Sequence, residues 1–420
     1  MYQAYSFLYI LALIFLFPFE HLKRPKELRK RWIRERFGLY KTSLQHSNTP
    51  FHPVWIHAVS VGEVIAAAPL INKIRDRHPS AEVIVSTVTD TGQKVAKERL
   101  GNAARIIYVP FDLPFAIRNA LLRIKPSVFI IMETELWPNT IRILNMLGVP
   151  VLLMNGRISE KSFKGYIKLR FFIKDVLRRM DLFCMQNEVY ADRIRAMGAE
   201  ADRVKVTGNF KFDTRPSSYI PEWTKILQGT TIIAGSTHRA EEDLIINAYI
   251  KLKSDFPMLN LIIAPRHPER FKEVEELIKR NNLKYIKRSE IANSNTPLLQ
   301  HSGLIIHLDV IGELASVYGM CDIAIMGGTF IEHGGQNPLE PAYWGKAIVC
   351  GPHMENFPFI EDFYKNGGAV KTDADNLRQS LKELLSDQKK MIATGKTAKE
   401  LYDKNAGAVE RAMKEIEGYL

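Results

Sequence analysis

Cysteine is scarce in this chain. Cys184, Cys321 and Cys350 are the only three in 420 residues, and no two stand at C-x-x-C spacing. That excludes a disulfide framework and a thiolate zinc site, and isolated thiols beside apolar runs read as buried and reduced. Internal repeats and low-complexity tracts are also missing. Acidic residues are in deficit, 46 against 58 Lys and Arg, which leaves a net charge of +12. Such an excess favours nucleic acid, an anionic lipid surface or a phosphorylated substrate. No helix-turn-helix signature and no aromatic-interleaved sheet motif accompanies the basic residues, so no nucleic-acid partner is expected. No metal is expected either. His52 and His57 at a strand border read as structural, and Asp373-Ala374-Asp375 reads as first-turn charge before a late helix.

What is present begins with ordinary composition, 46% hydrophobic and 25% charged, which excludes wholesale disorder and a polytopic membrane protein. A chain of 420 residues suggests two or three domains.

Residues Tyr2 to Phe19 carry no charge and are dominated by Leu, Ile, Phe and Tyr. Neither a basic start nor a small-residue cleavage site is present, so the segment reads as a retained membrane anchor, residues 1–20. Its length lies near the lower limit of about 17 residues for a span, which leaves a transmembrane helix and an interfacial helix both open. The run from His21 to Gly38 sets many Lys and Arg against only Glu27 and Glu35, and should meet anionic headgroups on the cytoplasmic side. Trp32 and Phe37 could dip into the interface. The core itself, beginning near Val54, is expected to fold without the anchor.

From Val54 onward short apolar runs alternate with helix-length amphipathic stretches: VWIHAV, EVIVST, RIIYVP, SVFIIM and VPVLLMN, then Leu182 to Met185 and Val204 to Val206. The rhythm predicts βαβ units and a parallel sheet. Pro216, Ser217, Ser218, Pro221 and Gly229 mark a linker at 212–229. The pattern restarts with TIIAG, LIIAP, LIIHL, DIAIMGG and KAIVCG. The expected fold is therefore α/β with two doubly wound domains, 21–211 and 230–420, facing a central cleft at the carboxyl ends of both sheets. A last helix over about 388–419 could pack back across the linker.

Candidate chemistry collects at strand ends. Glu63 closes His57-Ala58-Val59-Ser60-Val61-Gly62-Glu63 in the first turn of a helix, either as a charge stabilised by the macrodipole or as a general base that Gly62 leaves accessible. In Met132-Glu133-Thr134-Glu135 one carboxylate should face the cleft. Glu133 is favoured, because Glu135 could serve the helix opened by Pro138. Lys211, between Phe210 and Phe212, could balance charge on a departing phosphate or snorkel over the rings. Gly235-Ser236-Thr237-His238 and Ala264-Pro265-Arg266-His267-Pro268 offer turn N–H groups and an Arg fork. The most specific signal is Gly327-Gly328-Thr329-Phe330 followed by Gly334-Gly335-Gln336-Asn337-Pro338-Leu339-Glu340-Pro341. Asn337 reads as an N-cap and Pro338 as the first helical residue beneath a glycine-rich loop, an anion site. Glu340 could bond back to the cap or hold ribose hydroxyls.

Taken in order, H-A-V-S-V-G-E, M-E-T-E-L-W-P-N, G-N-F-K-F-D, G-S-T-H, P-R-H-P, I-G-E-L and G-G-x-x-x-x-x-G-G-Q-N-P-L-E-P-A resemble the 3-deoxy-D-manno-octulosonic acid (Kdo) transferases of lipopolysaccharide synthesis over nearly the whole chain. The resemblance implies a GT-B fold of two Rossmann-like domains, CMP-Kdo as donor with no cofactor, and a lipid A precursor (lipid IVA) as acceptor. It also implies action at the cytoplasmic face of the inner membrane. It places the base at Glu63, transition-state stabilisation at Glu133 and Lys211, and CMP contacts at Arg266, His267, Ile311, Gly312, Glu313, Asn337, Pro338, Leu339 and Glu340. One departure is Val310-Ile311 before Gly312, where the family pattern has Thr-Met or a similar pair; backbone contacts survive that change. A direct displacement follows, with inversion at the anomeric carbon. The alternatives are a two-domain transferase using a UDP-sugar and a membrane-bound nucleotide-binding scaffold without turnover. Oligomeric state is not readable.

Overall fold

A computed structural model describes residues 1–41, 52–216, 219–291 and 302–420; Ser217 and Ser218 of the expected linker lie outside them. The chain forms two units, Met1–Thr214 with Ala406–Leu420, and Arg215–Asn405.

In the first unit seven strands pair in parallel: β1 (Val54–His57), β2 (Val83–Thr87), β3 (Arg105–Tyr108), β4 (Val128–Met132), β5 (Val151–Gly156), β6 (Leu182–Met185) and β7 (Val204–Val206). Their spatial order is β3-β2-β1-β4-β5-β6-β7. The order reverses between β1 and β4, so the loops after these two strands flank the switch point where doubly wound sheets hold ligands. Central strands are buried on both faces, which is why they read as continuous Val, Ile and Leu runs.

The second unit repeats the plan with β8 (Thr231–Thr237), β9 (Asn260–Pro265), β10 (Tyr285–Lys287), β11 (Ile305–His307), β12 (Ile323–Met326), β13 (Ala347–Cys350) and β14 (Ala369–Lys371). All are parallel, in the order β10-β11-β9-β8-β12-β13-β14. The switch point lies between β8 and β12. Both units are α/β and Rossmann-like.

Three expectations on boundaries change. The second unit ends at Asn405, not at residue 420. The expected last helix is two, Gln388–Asn405 and Ala408–Ile416, broken at Gly407 (φ 81°) where the chain returns to the first unit. There the carboxylate of Asp213 accepts hydrogen bonds from the Gly407 and Val409 N–H groups. The 212–229 stretch is only partly a linker, because Phe212 is buried in the first unit and Trp223 and Ile226 in the second.

The N-terminus differs most. Helix α1 (Tyr2–Lys23) does not stand apart from the core. Tyr2 Oη donates to Asp175 (2.9 Å), and Ser6 Oγ accepts from Asn139 Nδ2 (2.9 Å). Tyr5 donates to the carboxylate of Asp112, which is fully buried and also caps the helix Pro138–Met146 through the Asn139 and Thr140 N–H groups at 3.0 and 2.8 Å. The opposite face, with Phe7, Leu8, Ile14, Phe15 and Phe19, is exposed. In helix α2 (Lys26–Arg36), Trp32 is a core residue only 3% exposed, packed with Phe17 and Phe111. It does not dip outward, because burying the indole here covers far more apolar area than a rim position does.

Candidate active site

In the first unit Ser60 caps helix α3 (Val61–Arg77), accepting from Glu63 N–H at 3.4 Å. The Glu63 carboxylate reaches back, taking the Val59 N–H (2.8 Å) and the Ser60 hydroxyl (3.0 Å). This is a reciprocal capping box, so the local role expected for a first-turn glutamate is real. The same carboxylate is also buried and has its pKa pushed up to about 7, chiefly by desolvation and further by Glu133 and Glu135; the bonds from Val59 and Ser60 offset only part of this. A group near neutrality suits general-base work. At Gly62 a Cβ would meet only Ser60 Oγ, at 3.8 Å, so the approach is open.

Glu133 follows β4 in the left-handed region (φ 58°), an uncommon place for a side chain that is not Gly, Asn or Asp. Its N–H donates to Met154 O (2.9 Å), which holds the turn. Strain of this kind, of order 1–3 kcal/mol, collects at functional sites. Glu135 does not cap the next helix, since Asp112 does. Its pKa is raised by burial and by Glu133, and it adds to the negative field at Glu63.

Lys211 is carried by a short turn, Phe210–Asp213. Asn155 Oδ1 accepts from Phe210 N–H (3.0 Å) and Asn209 Oδ1 from Lys211 N–H (3.0 Å). Phe210 and Phe212 are core residues, so the lysine does not snorkel over exposed rings. Burial lowers its pKa, Glu133 and Glu63 raise it, and Arg157 lowers it further. The three residues expected to carry the chemistry thus sense one another's charge. Glu135, named in the sequence but not favoured, joins them through its effect on Glu63, and Arg157 joins them unannounced; the signal for Arg157 was its position just past a strand end.

In the second unit Arg266 follows β9, its N–H bonded to Thr237 O (2.9 Å), and both Arg266 and His267 are exposed. His238 packs at a tilt against His333 (4.1 Å between centroids) and edge-on to His267 (5.6 Å), and its Nε2 lies 3.1 Å from the Gln336 amide nitrogen. Burial pushes the His238 pKa down to about 4, helped by His333, His267, Arg266 and Arg270. A neutral imidazole therefore sits among cationic groups, a setting that favours an anion.

The glycine-rich loop is not open as expected. Glu241, 1% exposed, accepts from the N–H groups of His238, Gly328, Thr329 and Phe330 at 2.7–3.0 Å. An internal carboxylate already fills that nest. Gly327 is required beside it, since a Cβ would come within 2.1 Å of Ser236 O. The next helix starts at Leu339, one residue later than expected, with Pro338 as its cap residue, and Asn337 Oδ1 accepts from Leu339 N–H (3.2 Å). Pro338 and Leu339 are buried, while Asn337 and Glu340 are half-buried.

Ile311 is 68% exposed, and Gly312 (φ 95°) would have nothing within 4 Å of a Cβ. Glu313 turns away from that open backbone. Its carboxylate takes Arg288 Nε and Nη2 (2.8 and 2.9 Å) and Trp223 Nε1 (2.8 Å), so its side chain is committed to the fold. Among the other candidates, His57 is a core histidine bonded to Ser86, its pKa pushed down to about 3 by burial. Asp373 caps Asn376 N–H (2.9 Å), and the three cysteines are buried free thiols.

Two Rossmann-like units, with Glu63 and Glu133 beside one switch point and a cationic cluster beside the other, belong here to a glycosyltransferase. The family model described as 3-deoxy-D-manno-octulosonic-acid transferase (kdotransferase) matches residues 31–214, and that of glycosyl transferases group 1 matches 229–401. A 3-deoxy-D-manno-octulosonic acid transferase of Haemophilus influenzae is 33% identical over 95% of this chain and 93% of its own. One from Bordetella pertussis is 30% identical over 88% and 87%. The solved UDP-GlcNAc 2-epimerase of Neisseria meningitidis, 13% identical with a TM-score of 0.56 over 86% of this chain and 100% of its own, shares the GT-B-like fold. The chain belongs to the 3-deoxy-D-manno-octulosonic acid transferase family.

Proposed function

We propose that this enzyme transfers Kdo from CMP-Kdo to a lipid A precursor, with inversion and without a metal step. Glu63 takes the proton of the acceptor hydroxyl as its oxygen bonds to the anomeric carbon. The bond from that carbon to the phosphate oxygen breaks, and its electron pair leaves with CMP. Glu133 and Lys211 stabilise the developing charges. The second unit holds CMP through Arg266 and His267, the Ile311–Gly312 backbone and the Asn337–Glu340 turn; Glu313 acts there by fixing the turn.

The observation carrying this reading is the mutual field of Glu63, Glu133 and Lys211 at a topological switch point, with Glu63 near neutrality. Helix α1 supports a placement at the cytoplasmic face of the inner membrane. Its contacts with the rest of the unit run from Tyr2 through Ser6 and Tyr9 to Phe17, so it lies along the unit with one apolar face outward, an interfacial arrangement in preference to a span. Incubation with CMP-Kdo and a tetra-acylated precursor, read by CMP release and mass spectrometry of the lipid, tests the function. Product formed from a UDP-sugar, or nucleotide binding without CMP release, would establish the two alternatives instead.

A further inference from the structure

Two neighbouring strand ends in the first unit leave the extended conformation side by side. Met132 and Met154 are paired across β4 and β5, and the residues that follow them, Glu133 and Asn155, are both left-handed, at φ 58° and 54°. Backbone hydrogen bonds tie the two turns together: Glu133 N–H donates to Met154 O (2.9 Å) and Arg157 N–H to Glu133 O (3.4 Å). The pairing of β5 with β6 shifts register at the same place, between Leu153 and Gly156. Irregularities at strand ends re-aim side chains and collect at functional sites. Glu133 has a place in the transfer chemistry above, and Asn155 has none.

Asn155 is fully buried, and its side chain serves one partner. Oδ1 accepts from the Phe210 N–H (3.0 Å), in the turn that follows β7 and carries Lys211, while Nδ2 has no hydrogen-bond partner among the described residues. A left-handed backbone favours Gly, Asn and Asp. Gly has no acceptor to offer, and Asp offers one only by bringing an ionisable group into the core, so both requirements together select Asn. The Asn155 carbonyl is held in turn by Gln186 Nε2 (3.0 Å). At its far side the lysine turn is braced by Asp213, which accepts from the Gly407 and Val409 N–H groups. Asn155 therefore links the turn of Glu133 to the turn of Lys211, and the charges of Glu133, Glu63 and Arg157 all act on that lysine. Taking the transfer reaction proposed above as the activity, we infer that Asn155 is a positioning residue for Lys211. It fixes the lysine turn against the strand end that carries Glu133, so the ammonium is in place before charge develops on the leaving phosphate. Charge preorganised in this way needs no rearrangement during the reaction.

The test uses the full chain in detergent micelles, with CMP-Kdo and a tetra-acylated precursor for turnover. An amine-reactive ester, read by mass spectrometry, reports the reactivity of Lys211 against that of exposed Lys164. Asn155→Gly keeps the left-handed backbone and removes the acceptor, whereas Asn155→Asp keeps the acceptor oxygen. Ile124→Ala serves as the control, because it opens a cavity in the same unit just before β4, at the opposite end of that strand from Glu133. In Asn155→Gly, kcat should fall about tenfold to a hundredfold, the scale of a misplacement near 1 Å, with KM for both substrates little changed. Lys211 should be labelled severalfold faster. Asn155→Asp should keep Lys211 labelling as slow as in the unsubstituted protein, and Ile124→Ala should lower the melting temperature without moving kcat or labelling. Unchanged kcat or unchanged labelling in Asn155→Gly overturns the inference, as does an equal effect of Ile124→Ala. If Asn155→Gly does not fold, Asn155→Asp decides, since fast labelling of Lys211 there is equally fatal. Failure of the unsubstituted enzyme to release CMP would overturn the transferase reading instead, and the labelling, which needs no substrate, would still decide what Asn155 holds in place.

Discussion

The Glu133 carboxylate stands close enough to Glu63 to help burial hold it protonated to about pH 7. Because the base must be ionised to accept a proton, turnover should rise with pH through about 7 and level off above it. Glu133→Gln removes the like charge, so the acidic limb should move to lower pH even though the maximum rate falls. A pH profile of kcat in the two proteins decides this. An unmoved limb would remove Glu133 from the electrostatics of the base.

Glu63→Gln keeps the shape of the capping box but not the base. Turnover should drop by about 10²–10⁴, with CMP affinity little changed. Stability should move the opposite way. The folded pKa of Glu63 lies above the ordinary carboxyl value of 4.5, so its favourable contribution is complete below that value and is lost as pH rises through about 7. At pH 8 the variant should therefore be more stable, by about 1–3 kcal/mol in denaturant titrations.

Glu241 is expected to behave as a structural residue next to the nucleotide-binding groups. Glu241→Ala leaves four N–H groups, three of them buried, without their acceptor, and at about 1–3 kcal/mol for each unpaired buried group even partial relaxation leaves a large loss. The variant should melt at clearly lower temperature and bind CMP weakly. Normal melting with normal CMP affinity would show that the nest does not need its carboxylate.

Most of the strand framework was legible because central parallel strands must be apolar on both faces, as in Val128–Met132 and Asn260–Pro265. The strands that escaped notice, Tyr285–Lys287 and Ala369–Lys371, are three-residue edges, paired on one side and partly exposed, so no apolar run is demanded of them. Glu63, Glu133 and Lys211 were readable from motif and strand end. Glu241 was not, because a glutamate three residues after His238 looks like ordinary first-turn charge; only the fold brings Gly328 and Thr329 to it. The docking of α1 was hidden for a related reason. Tyr2, Tyr5 and Tyr9 count as apolar in a window, and their hydroxyls find Asp175 and Asp112 only in three dimensions.

Deleting residues 1–20 should therefore do more than release the protein from membranes. It would uncover Trp32 and strip the Tyr5 bond from buried Asp112. The truncated protein should lose thermal stability in its first unit, and detergent should not restore it. A truncated protein that melts like the full chain would mean that α1 is only an anchor.

The basic run after α1 divides into two groups with separable readouts. Arg24 is paired with Glu20 and Asp90, Arg31 bonds Glu35 and Ile106 O, and Arg36 bonds Val109 O; these guanidiniums are spent on the fold. Lys23, Lys26, Lys30 and Arg34 are exposed and face water. Replacing these four with Gln should weaken binding to anionic vesicles by roughly 1 kcal/mol per charge at low salt, and the loss should shrink as the Debye length falls toward about 8 Å at physiological ionic strength. Melting should change little, since surface substitutions away from buried partners stay within about 0.5 kcal/mol. Arg36→Gln should show the reverse pattern, a lower melting temperature with vesicle binding retained by the four exposed charges. Equal vesicle affinity before and after the fourfold change at low salt would mean that the apolar face of α1 alone holds the enzyme at the membrane.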